Sequence, residues 1–159
     1  MIALALAATL AAPFAASYAQ AADDPAAAPA FGSVSEAGDT ELESFLWQAR
    51  PILVFADTPA DPRFEQQLAM LEAEIDRLAE RDVVILTDSD PSARGPIRTK
   101  MRPRGFQVVL VEKDGSVTLR KPFPYSVREI TRTIDKTPLR QQEVRDRRAL
   151  RHQGDATDN

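Results

Sequence analysis

The chain has 159 residues, 28% of them charged, and a formal net charge of -4, a balance that fits one soluble domain with tails and argues against a general nucleic-acid binder. It has no cysteine, which removes disulfides, thiolate nucleophiles, dithiol redox chemistry and thiolate metal sites together. The single histidine, His152, stands in a polar tail, so zinc sites of several imidazoles are excluded and a Ser-His-Asp arrangement would need that tail folded back over the domain.

Residues 1–21, MIALALAATLAAPFAASYAQA, are uncharged and rich in alanine and leucine, and they end in the small-x-small tripeptide Ala19-Gln20-Ala21. This pattern predicts a secretory signal peptide cleaved near Ala21 and export to a bacterial periplasm, although the usual basic leading region is missing. Polar Ser17, Tyr18 and Gln20 leave the apolar run too short to span a bilayer, so no stable membrane span is expected after signal removal. Residues 22–39 are small, polar and broken by prolines, and they read as a flexible linker.

Thr40 and Glu43 have capping-box spacing, which predicts a short helix over 41–48 with Leu42, Phe45 and Leu46 turned to the core. Ile52 to Phe55 are apolar without alternation, as in a strand covered on both faces of a parallel sheet. After the corner at 57–60, Asp61-Pro62 supplies an aspartate N-cap and a proline at the first helical position. Phe64, Leu68, Leu71, Ile75 and Leu78 then form one apolar stripe, predicting a helix of about twenty residues.

DVVILTD (82–88) is a second buried strand, and 89–105 is a loop with one helical turn near 96–101. Residues 106–120 read as a hairpin turning at Lys113-Asp114-Gly115, where glycine supplies the positive-φ position. Ser126 and Glu129 form another capping box, Val127, Ile130 and Ile134 give the next helix its buried stripe, and Pro138 closes it. Residues 139–159 make a charged, partly helical tail.

The order is helix, strand, helix, strand, loop, hairpin, helix. A right-handed parallel unit followed by an antiparallel hairpin and a closing helix is the α/β, thioredoxin-like arrangement: a four-stranded mixed sheet with helices on both faces, over 40–138. A different sandwich with the same element order is the alternative.

Five phrases, LWQARPILVFA, DPRFEQQLAML, ERDVVIL, GFQVVLVEKDGSVTLR and IDKTPLRQQEVR, together spanning about 42–145, resemble an exported bacterial family known as a domain of unknown function, family 4174 of that series. The resemblance implies a thioredoxin-like fold and an exported location, and it carries over no catalytic residue. Glu112 stands where the family often has glycine, and TPLRQ replaces a methionine-rich phrase; both read as neutral for the fold.

In thioredoxin-like enzymes the corner after the first central strand carries redox cysteines at a helix N-terminus. Here it holds Asp57, Thr58, Pro59, Ala60 and Asp61, which read as a proline-stiffened capping turn. Arg94, Arg98, Lys100, Arg102 and Arg104 reverse the sign of the chain locally, with no acid among them. In this arrangement their loop lies beside the corner, so Thr58, Arg98, Lys100, Arg102 and Arg104 are the candidate binding residues for an anionic small molecule or an acidic protein partner. Pairing of those arginines with neighbouring acids is the alternative. Arg140, Arg145, Arg147, Arg148 and Arg151 read as a solvated helix face or a weak attachment to acidic partners or lipid. Trp47 reads as a core or rim anchor, with a stacking platform as the alternative. No cofactor or metal motif is present, and no nucleic-acid partner is expected. The leading functional expectation is a non-redox binding module of the cell envelope, with an enzyme using Asp57 or Asp61 with arginines, or a structural accessory of a periplasmic partner, as alternatives.

Overall fold

The computed structural model describes residues 30–157, and the expected signal peptide lies outside them. Five strands form one sheet in the order β1-β3-β2-β4-β5: β1 (Val34–Glu36), β2 (Arg50–Phe55), β3 (Val83–Asp88), β4 (Gln107–Val111) and β5 (Val117–Lys121). β1 and β2 both run parallel to β3, whereas β4 is antiparallel to β2 and to β5. The helices are α1 (Pro62–Ala73), α2 (Ile75–Ala79), α3 (Pro96–Met101), α4 (Val127–Asp135) and α5 (Pro138–Thr157). A β2-α1/α2-β3 parallel unit followed by the β4-β5 hairpin and α4 is the thioredoxin-like fold.

β2 is buried along its whole length, as a run without alternation requires when both faces are covered. Ile52 and Val54 join Phe64, Leu71, Leu78, Ile85, Val108, Ile130 and Ile134 on the face that carries α1, α2 and α4. Leu53 and Phe55 join Leu42, Leu86, Ile97, Met101, Val109 and Val111 on the other. Fully buried Gln67 of α1 fastens the approach to α4: its Oε1 accepts from the Tyr125 amide at 2.6 Å and its Nε2 donates to the Tyr125 carbonyl at 3.1 Å.

Several expectations are corrected. The sheet has five strands because β1 forms inside the segment read as linker. Its residues are all exposed, and it is held through backbone pairing to β3, so it leaves no apolar alternation in the sequence. β1 thus lies ahead of the expected boundary at 40. The helix over 41–48 is a 3-10 turn at Leu42–Phe45, without a side-chain cap, and the Glu43 carboxylate pairs instead with Lys100. The twenty-residue helix is broken at Glu74, where φ of -125° separates α1 from α2. At the other end, α5 runs unbroken from Pro138 and buries Arg140, so 138 is not the limit of the folded unit. Among the described residues no helix is long and apolar enough to cross a membrane.

Candidate functional site

The corner at the C-terminal end of β2 is built as its residue types dictate. Asp61 caps α1 by accepting from the Arg63 amide at 2.9 Å and also takes the Arg63 guanidinium at 2.6 Å; that guanidinium, beside it, holds the Asp61 carboxyl below its ordinary range. Thr58 is exposed, and its hydroxyl lies 3.4 Å from the Ala60 amide. The glycine at 95 is required here, since a Cβ would stand 2.6 Å from the Gly38 carbonyl oxygen, and this close approach lets α3 start against the end of β1.

The candidate cations fall into three groups. Arg98 is buried and committed: Nε donates to Asp88 Oδ1 at 2.9 Å, Nη2 donates to the carbonyls of Ala56 at 2.7 Å and Asp88 at 2.9 Å, and Nη1 stands 4.0 Å from Asp57 Oδ1. It clamps the ends of β2 and β3 together. Lys100 is exposed and paired with Glu43. Arg102 and Arg104 are exposed, with no ion pair among the described residues. Their loop does border the corner: a Cβ on Gly105 would lie 3.7 Å from Asp57 Oδ2.

The opposite end of the sheet carries a denser set of charges. Arg50, the first residue of β2, is 0% exposed. Its Nε donates to Glu112 Oε2 at 2.7 Å, its Nη2 to Glu143 Oε1 at 3.0 Å and its Nη1 to the Arg81 carbonyl at 3.0 Å. Lys113 bridges Asp82 at 2.8 Å and Glu143 at 3.0 Å, and Arg147 closes on Asp82 at 2.7 Å. Burial works to raise the Glu143 pKa, but hydrogen bonds from Arg50 and Lys113 overcome it and bring the group from 4.5 to about 2. Glu143 and Arg147 belong to α5, so this cluster fastens that helix to the sheet.

Along α5 and next to that cluster lies a cavity of about 520 Å³ whose walls include Arg81, Asp135, Arg140, Arg145 and Arg148. Arg81 takes Asp135 in a two-pronged pair, both contacts at 2.9 Å, which uses the one acid among the described residues of these walls. Arg140 is 8% exposed; its Nη2 donates to the Glu80 carbonyl at 3.0 Å and its Nη1 to Glu143 Oε2 at 3.3 Å, while its Nε stands 3.9 Å from Asp135 Oδ1 and makes no hydrogen bond among the described residues. Arg148 has no ion pair among the described residues, and Arg145 donates to Gln142 at 2.6 Å. No group of three or more histidine, aspartate or glutamate side chains among the described residues is placed to hold a metal ion.

The family model described as Domain of unknown function (DUF4174) matches residues 41–143. The chain belongs to that family. The reduced 2-Cys peroxiredoxin of Plasmodium vivax is similar at 20% identity and a TM-score of 0.47, over 59% of this chain and 80% of that one. The mitochondrial 2-Cys peroxiredoxin from Plasmodium falciparum is similar at 17% identity and a TM-score of 0.42, over 59% of this chain and 78% of that one. No curated protein matches the chain.

Within this DUF4174 chain, the charge cluster around Arg50 went unread in the sequence. Glu112, taken there as a neutral departure, is 5% exposed and is a direct partner of Arg50, so it is not neutral for the fold. The available signals were an arginine set directly before a fully apolar strand and a glutamate closing another.

Proposed function

We propose that this protein is an exported, non-redox module that binds an anionic ligand on a thioredoxin-like scaffold. The absence of any cysteine rules out dithiol chemistry at the corner. The observation that carries the binding reading is the α5 cavity, whose described walls hold four arginines and one already-paired acid, where Arg145 and Arg148 make no ion pair among the described residues and the buried Arg140 Nε makes no hydrogen bond. Guanidinium groups suit carboxylate and phosphate oxygens, and a buried donor without an acceptor makes an incoming anion favourable.

A second seat is the corner, where exposed Arg102 and Arg104 lie on the loop that borders Asp57 and Thr58. Arg98 drops out of that site as a ligand, because Asp88 and Ala56 already hold its guanidinium.

Calorimetric titration with pyrophosphate and citrate tests both. The α5 reading expects binding that an Arg145→Ala, Arg148→Ala double variant weakens by roughly tenfold, the scale of one charge-assisted contact or more, while Arg102→Ala, Arg104→Ala leaves it unchanged. The reverse result moves the site to the corner, and no heat from either anion ends the proposal. Export is tested by the mass of the protein recovered from the producing cell's envelope: loss of residues 1–21 supports it, and an intact N-terminus refutes it.

A further inference from the structure

Trp47, just ahead of β2, holds a φ of +61°, a left-handed conformation that a bulky residue rarely adopts. Its amide is fixed there by a 2.7 Å hydrogen bond to the Lys113 carbonyl. Its side chain is not the anchor the sequence led us to expect, since the residue is 68% exposed. Backbone strain maintained beneath an exposed aromatic ring points to a use for that ring.

The indole borders a cavity of about 480 Å³ whose other walls include Glu112, Asp114, Thr118, Pro138 and Leu139. Glu112 is 5% exposed, and while its Oε2 accepts from Arg50, its Oε1 accepts no hydrogen bond among the described residues. A carboxylate oxygen buried in that way lacks a donor that a ligand can bring. The Asp114 carboxylate accepts from the Ser116 hydroxyl at 2.6 Å and pairs with no cation among the described residues. No lysine or arginine is among the described residues that line this cavity.

We infer that this cavity is a binding site for a small organic cation bearing N–H groups, a guanidinium or primary ammonium head. The positive charge lies over the Trp47 face, the strongest of the aromatic partners for a cation. One N–H donates to Glu112 Oε1 and another to the Asp114 carboxylate. A neutral sugar would also stack and donate, but it would leave the Asp114 charge unanswered. This site lies apart from the α5 arginines and has the opposite charge preference, so its failure and the failure of the anion reading are independent results.

Trp47 is the chain's single tryptophan, so its fluorescence reports the site directly. The full chain is titrated at constant ionic strength with n-propylguanidinium, tetramethylammonium and glucose, alongside an Asp114→Asn variant that keeps the turn's hydrogen bonds to Ser116. The expected result is a saturable change with propylguanidinium, roughly threefold tighter than with tetramethylammonium, which has a charge and no N–H. The same affinity falls about threefold in Asp114→Asn, with the melting temperature unchanged. No saturable change with propylguanidinium, equal affinity for tetramethylammonium, saturation by glucose in its place, or native affinity in Asp114→Asn each overturns the inference.

Discussion

Arg50 and Asp57 bracket a single strand, and they live in different solvents. Arg50 is 0% exposed among Glu112, Glu143 and Asp82, whereas the Asp57 side chain is 65% exposed and its one ion-pair partner among the described residues, Arg98, stands 4.0 Å away. At the Arg50 end, charge is taken out of water and holds α5 on the sheet. At the Asp57 end, Arg98 locks the strand ends and the remaining cations stay in solvent. Burial against the ends of the sheet therefore decides whether an arginine is structural or available: Arg50 and Arg98 are held there, whereas Arg102, Arg104 and Arg148 make no ion pair among the described residues, so basic residues that look alike in sequence come to serve different ends.

The largest loss of stability should follow removal of Arg50. Arg50→Ala leaves Glu112 and Glu143 without their buried guanidinium and should cost about 3–5 kcal/mol, the usual scale when one member of a buried charge network is deleted. Arg98→Ala should cost less, about 2 kcal/mol, because it removes hydrogen bonds to Ala56 and Asp88 while Asp57 stays hydrated. Urea unfolding measures both, and equal costs would erase the distinction between the ends. Lys100→Ala removes an exposed pair with Glu43 and should leave the melting temperature within replicate scatter; a clear drop would show that the corner is more tightly built than its exposure implies. Trp47→Gly sets relief of the left-handed strain against the lost contacts of an exposed ring, so stability should move by less than about 1 kcal/mol. A larger loss would make Trp47 a structural anchor.

What could be read from the sequence follows from the same contrast. β2 and β3 announce themselves because strands buried on both faces must be apolar throughout, and the starts of α1 and α4 because Asp61 and Ser126 cap in the residue types that physics favours. The corner beside the 102–105 loop was legible from element order alone. β1 was not, since a short exposed strand paired through its backbone has no side-chain period to detect. The Arg50 cluster was hidden for a different reason: a charge in sequence reads as surface, and only the fold brings Arg50, Asp82, Glu112 and Glu143 into one buried group. The arginines of α5 were visible as a run, but which of them turn inward was fixed by Arg140 and Arg147 meeting Glu80 and Asp82.

Ionised Glu143 fastens α5 to the buried end of the sheet. Its pKa falls from 4.5 to about 2 on folding, so its contribution is fully present above about pH 4.5 and is lost as the pH falls through about 2. A shift of that size corresponds to about 3 kcal/mol at neutral pH. The direct measurement is urea unfolding of the parent chain and Glu143→Gln across that range. The difference should be about 3 kcal/mol at neutral pH and shrink toward zero as the pH approaches 2. A difference that stays constant through the acid range, or no difference at neutral pH, would contradict it.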